Sequence, residues 1–277
     1  MTTQPDPTAL EPHPMQTPVR PGRIRGLVPA AIAFVAVVAI WEGVIRIFDI
    51  QAFVLPAPSV IISRFIETSD VIWAAGIKTL MEAVLGLVGG TALGVLVAFL
   101  TVRWVPIREG VMPFAIAVSA TPIIALAPIA NGMFSLTSQV PKIVVVAIVV
   151  FFPVMINTAR GLLEVNPDEI ELMRSYAATP REVMSRIRVP HALPYFFSAV
   201  KVVSVLSIVF AIVAEYFGGP QDVLGQYILT KANLFVYPDA WAGILVASLL
   251  GLAMYGIVIV AERLAMPWHV SFRSQFS

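Results

Sequence analysis

Six stretches of this chain are apolar and long enough, or nearly so, to cross a bilayer, and nothing else constrains the fold as much. A bilayer core needs about 20 apolar residues per helix. The windows are 27–48, 79–102, 111–130, 142–158, 195–217 and 241–261, the fourth being the shortest. They do not alternate in short segments as barrel strands would. The first is too long and too late in the chain for a signal peptide, and no cleavage site follows it. Composition agrees: 58% of the residues are hydrophobic and 13% charged, with a mean hydropathy of +0.87. A soluble domain carries about 25% charged residues, so a soluble enzyme, a disordered chain and a fibrous chain are all excluded. The net charge of +1 excludes a strongly basic nucleic-acid binder, so no nucleic-acid partner is expected. With no cysteine there is no disulfide framework, thiolate metal site or cysteine nucleophile. His13, His191 and His269 form no readable metal cluster. The expected fold class is an all-α integral membrane protein with about six transmembrane helices.

Basic residues orient the bundle, because cytoplasmic segments hold the excess of Lys and Arg. One set of connecting segments carries twelve: Arg20, Arg23, Arg25, Arg103, Arg108, Arg160, Arg174, Arg181, Arg186, Arg188, Arg263 and Arg273. The opposite set carries three, Arg64, Lys78 and Lys231. Both termini are therefore expected in the cytoplasm, in agreement with an even number of spans.

The chain divides into three parts. Residues 1–23 hold Pro5, Pro7, Pro12, Pro14, Pro18 and Pro21 and read as a disordered cytoplasmic tail. Residues 24–265 read as the transmembrane domain, and 266–277 as a C-terminal cytoplasmic tail. Segment 55–66 has helical apolar spacing, with Ser59 as a candidate cap. It reads as an amphipathic helix at the outer surface or as a packed loop. Gly86, Gly90 and Gly94 share one helix face, where another backbone can approach closely. Pro113, Pro122 and Pro128 make the third window a kinked or broken helix, either structural or lining a pathway.

The longest polar segment, 160–191, lies on the cytoplasmic side between the fourth and fifth windows. Asn166 is a good cap, Pro167 suits the first helical position, and Asp168 and Glu169 follow at once. The pattern predicts a helix over 167–177, a break at Thr179-Pro180, and a second helix over 180–188 that Pro190 ends. Two capped helices with small residues at the turn suit a docking surface.

These residues resemble a signature of the permease subunits of ABC importers. It reads Glu-Ala-Ala, three residues, Gly, nine residues, Ile, one residue, Leu-Pro. With Glu171 on the Glu, Ala177 falls on the Gly, Ile187 on the Ile, Val189 on the Leu and Pro190 on the Pro. Leu172-Met173, Ala177 and Val189 depart in identity while the spacing holds. Alanine is the mildest replacement for glycine but is strained at positive φ. The resemblance covers roughly residues 27–270 and implies a MetI-like ABC importer permease with a cytoplasmic coupling segment within 160–194. It assigns ATPase coupling to Glu171, Arg174, Ser175, Tyr176, Ala177, Ala178, Thr179, Pro180, Ile187 and Pro190. It implies cytoplasmic ABC ATPase subunits holding ATP and Mg, an extracytoplasmic solute-binding protein, and a second permease copy as a homodimer in the cell's inner membrane. No cofactor is expected in this chain itself. Residues 55–59, 151–158 and 214–219 look like the branch serving nitrate, sulfonate and taurine, which includes pyrimidine-type thiamine-precursor and riboflavin importers. The run 174–179 looks more like the heterocycle importers.

The chain lacks a phosphate-cradling loop. Its nearest approach is Gly76-Ile77-Lys78-Thr79, so ATP hydrolysis belongs to a partner and the chain is not an enzyme. Glu42–Arg46 and Lys78–Glu82 are spaced to pair on a helix face. Lys201 can snorkel. Glu215, near the outer end of the fifth window, is a candidate external gate contact. Ser119, Thr121, Asn157, Ser204 and Ser207 are candidates for a polar passage or for interhelical bonds. The competing reading is an ion-coupled secondary transporter, which needs midplane acids or inverted repeats.

Overall fold

In the computed structural model the described residues are 23–119, 125–134 and 138–268. Every regular element among them is a helix. The expected tail up to residue 22, the C-terminal tail from 269 and Thr121 lie outside them.

Contacts divide the chain into two units, Met1–Asp49 and Ile50–Ser277. The first contains helix α1 (Arg23–Ile47). Its Glu42 and Arg46, one turn apart, pair at 2.6 Å as their spacing predicts.

The second unit opens with α2 (Pro58–Glu67). Ala57, extended at φ −67° and ψ 144°, is its N-cap, with Pro58 in the first turn, so Ser59 lies inside the helix and is not the cap. Proline suits this position because the N–H it lacks needs no helical partner. Helix α3 (Ser69–Arg103) follows. Its 35 residues extend about 52 Å, well beyond a hydrocarbon core of about 30 Å.

The third apolar window departs from expectation. It falls on α4 (Val105–Ser119) and α5 (Leu126–Met133), with residues 120–124 outside the described set. Pro113 lies inside α4, and Pro128 lies in the first turn of α5, where its missing donor costs no bond. Among the described residues five helices, not six, are long and apolar enough to cross a membrane: Val28–Ile47, Ser69–Arg103, Val140–Leu163, Pro180–Tyr216 and Tyr237–Ala265.

Helix α6 (Val140–Leu163) packs against the glycine face of α3. A methyl group on Gly86 would come within 2.5 Å of Val146 Cβ, and one on Gly94 within 2.9 Å of the Phe151 carbonyl oxygen. At Gly90 it would strike the Ala147 carbonyl. The stripe therefore serves close backbone packing.

A short polar helix, α7 (Pro167–Ser175), leads to α8 (Pro180–Val183), which runs through a π-helical turn (Met184–Arg188) into α9 (Val189–Tyr216). Pro190 thus starts the long span rather than ending the second short helix. The widened turn, with Val189 N–H donating to Met184 O, carries the chain into a proline that a regular helix would not accept at this point. Helix α10 (Leu224–Asn233) and α11 (Tyr237–Ala265) complete the unit. Val146, Val150 and Val154 of α6, Val203 and Ala211 of α9 and Val246 of α11 lie in one buried core.

The spans α3, α6, α9 and α11 give this unit two polar ends. One carries α2 and α10, where Arg64 binds Asp239 at 2.6 Å and Lys231 binds it at 3.0 Å. The bond to Asp239 raises the Arg64 guanidinium above its ordinary value. Lys78 pairs here with Asp222 and not with Glu82, because Glu82 turns inward and is fully buried. The other end carries α7 and α8. Lys201 meets Glu262 there at 2.9 Å.

Candidate coupling surface and transport site

The α7–α8 end is built by local rules. Asn166 Oδ1 accepts from Asp168 N–H at 3.0 Å, and Pro167 opens the helix. Asp168 and Glu169 lie in the first turn, where the helix dipole favours carboxylates. The helix ends at Ser175, earlier than the sequence suggests. Ala177 then adopts φ 54°, and Ala178 N–H closes back on Met173 O at 3.0 Å. That is a glycine-type helix stop made by an alanine. Thr179 caps α8 reciprocally with Glu182: Thr179 N–H donates to the Glu182 carboxylate at 2.8 Å, and Glu182 N–H to Thr179 Oγ1 at 3.4 Å.

Helix α7 buries none of its residues. Leu172 is 57% exposed and Tyr176 77% exposed, beside exposed Glu171, Arg174, Ser175 and Ala177. Such a surface on a tightly capped helix is suited to another protein. Ala178 and Ile187 are half-buried, Thr179 and Pro180 exposed, and Pro190 half-buried in the first turn of α9. Two bonds fix the segment to the end of α6. Arg188 donates to Leu162 O at 2.7 Å, and His191 Nδ1 lies 2.7 Å from Gly161 O. A side chain on Gly161 would meet Ala192 Cα at 2.7 Å, so the end of α6 and the start of α9 are in close backbone contact there. Clefts of about 810 and 840 Å³ flank the segment, with Arg174 lining both.

The polar residues considered for a passage are scattered. Asn157 is half-buried on α6 and donates to Pro153 O at 2.8 Å. Ser204 and Ser207 are fully buried on α9, donating to Lys201 O at 2.8 Å and Ser204 O at 2.7 Å, with Met254 of α11 also close to Ser207. Ser119 is the last residue of α4. Glu215 is fully buried, with Thr79 Oγ1 donating to it at 2.7 Å and Gly225 N–H at 2.6 Å. Sequence reasoning missed its companions, Glu82 and Lys142, also fully buried. Their signal was ionisable residues at the edges of apolar windows.

Residues 90–265 match the family described as the binding-protein-dependent transport system inner membrane component. This chain belongs to that family. The permease is 30% identical to the formylaminopyrimidine transport permease protein ThiX of Halalkalibacterium halodurans, over 85% of this chain and 93% of that protein. It is 26% identical to the riboflavin transport system permease protein RibX of Chloroflexus aurantiacus, over 87% and 90%. It is also 26% identical to the putative aliphatic sulfonates transport permease protein SsuC of Bacillus subtilis, over 91% and 92%. Its fold matches a chain in the crystal structure of an amino acid ABC transporter with histidines, with a TM-score of 0.58 and 18% identity over 72% of this chain and 95% of that one. The permease is therefore a multi-pass inner-membrane subunit of an ABC importer. It works with an ATPase and a solute-binding protein and is a transport subunit rather than an enzyme.

Proposed function

We propose that the permease imports a small heterocycle of the formylpyrimidine or riboflavin kind, and that residues 171–190 seat its ATPase. The solute reading rests on the 30% identity to the formylaminopyrimidine permease, against 26% and 25% for relatives named for sulfonate and nitrate. The coupling reading rests on one observation: a capped helix with exposed Leu172 and Tyr176, in a segment held through Arg188 and His191 to the end of α6. Glu171, Arg174, Ser175 and Tyr176 face the ATPase in this reading. Ala177, Ala178, Thr179 and Pro180 shape the turn, and Ile187 and Pro190 lead into the span. The partner binds ATP and Mg. Two permease copies form a homodimer with both termini in the cytoplasm, and Asn157 contributes to the passage wall.

The test is reconstitution of the permease with its ATPase and binding protein in proteoliposomes. ATP-dependent uptake should follow addition of a formylaminopyrimidine or riboflavin. Uptake of nitrate or an aliphatic sulfonate with neither heterocycle carried would overturn the solute reading and leave the coupling reading standing.

A further inference from the structure

The α10 end of the spans encloses a polar centre that the coupling role does not use. Thr79 and Glu82 of α3, Lys142 of α6 and Glu215 of α9 are all fully buried there, with Gln226 of α10 nearly so. Glu215 is held firmly. Thr79 Oγ1 donates to one of its oxygens at 2.7 Å and Gly225 N–H to the other at 2.6 Å. Gln226 Nε2 donates to its main-chain carbonyl. Thr79 Oγ1 in turn accepts from Leu224 N–H at 3.0 Å. Gly225 has to be glycine for this approach, since a Cβ would fall 2.6 Å from Glu215 Oε2. The connection from α9 to α10 is thereby fastened to α3.

Glu82 differs. Neither of its oxygens receives an N–H or hydroxyl from the described residues. It stands one turn after Thr79 on the face of α3 where Thr79 Oγ1 reaches Glu215, and it interacts electrostatically with that carboxyl. Lys142 faces both acids and donates to Ser138 O at 2.8 Å. Tyr216, which is exposed, is a further ionisable group near Glu215. Lys78, one turn before Glu82, is turned away to Asp222.

Two carboxylates and one ammonium buried together leave one negative charge in excess. An uncompensated buried charge is strongly unfavourable. An ionised carboxylate also only accepts hydrogen bonds, so two in contact repel unless a proton lies between them. Glu215 already accepts two donors that suit the charged form, whereas Glu82 accepts none among the described residues. We propose that the permease holds one permanently bound proton at this site, on the Glu82 carboxyl, which donates it to Glu215 while Lys142 balances the remaining charge. The site is then neutral and joins α3, α6, α9 and α10 by a proton that stays in place during transport. A carboxyl pair that drove uptake would have to release it.

Infrared difference spectroscopy of the purified permease at neutral pH tests this. The wild type should show the carbonyl stretch of a protonated carboxyl, shifted in deuterated buffer and absent from Glu82→Gln. That variant replaces the carboxyl donor with an amide donor. It should fold with an unchanged thermal midpoint and support ATP-dependent uptake in the reconstituted complex. Glu215→Gln replaces one accepting oxygen with an NH2 donor facing another donor and removes the counter-charge of Lys142, and should lose folded yield. A wild type without the band overturns the proposal, as does a band that survives in Glu82→Gln. Loss of folding or uptake in Glu82→Gln would do the same. So would a sodium-dependent thermal midpoint, which would place a metal cation between the acids.

Discussion

Ala177 shows how one side chain sets a turn. It stands at φ 54° where the resemblance places glycine, and the chain still closes the helix through Ala178 N–H to Met173 O. An L-residue in this region costs about 1–2 kcal/mol relative to its right-handed form, and glycine returns part of that gain through its greater freedom when unfolded. Ala177→Gly should therefore stabilise the purified permease by about 0.5–1 kcal/mol, read as a higher thermal midpoint with ATPase association retained. Ala177→Asp examines the surface instead. Aspartate tolerates the left-handed region, so the turn survives, but a charge is placed where the turn should meet protein, and desolvating it costs several kcal/mol. The variant should insert and fold normally and lose ATPase association and uptake. A folded Ala177→Asp permease that binds its ATPase and transports like wild type would remove this turn from the coupling mechanism.

Between elements, the contact of α3 with α6 is the most demanding. Gly86, Gly90 and Gly94 let α3 approach the carbonyls of Ala147 and Phe151 directly. Gly90→Leu would drive a branched side chain into that backbone, and overpacking of this kind costs about 1–3 kcal/mol or more where backbone has to move. The expected result is a lower thermal midpoint and reduced membrane yield, while Gly89→Leu, with open space beside it, serves as the silent control. The π-helical turn at Met184–Arg188 is the other decisive junction. It makes α8 continuous with α9, with no loop between them.

For the molecule as a whole, the arrangement of polar ends yields a topological expectation. Thr179 lies at the α7–α8 end and Gln221 beside α10, at the opposite end of the spans. With twelve basic residues in the segments on one side and three on the other, Thr179 is expected in the cytoplasm. Single cysteines introduced at the two positions should react with membrane-impermeant reagents from opposite sides of sealed vesicles. Labelling of both from the outside would reject the orientation. The same two-ended plan suits an importer, with solute delivered at one end and ATP hydrolysis coupled at the other.

The sequence by itself determined whatever depends on local pattern. Runs of apolar residues gave five spans, the third of the six windows falling instead on α4 and α5, because a helix in lipid must satisfy its own backbone and cover itself with hydrocarbon. Asn166, Pro167 and the break at Thr179-Pro180 gave the starts of α7 and α8, because capping acts within four residues. The glycine spacing gave a packing face. Only the tertiary structure decided which partner each charge takes. Glu82 is spaced for Lys78, yet Lys78 turns to Asp222, and Glu82 turns inward to Glu215 of a helix more than a hundred residues away. Local spacing shows which pairs are within reach; burial decides among them, because a charge removed from water is held only by partners that the folded chain brings to it. The fate of Pro190 has the same origin. The pattern marks a proline that should end a helix, and packing of α9 against α6, with Arg188 and His191 tied to the end of that span, carries the helix through it.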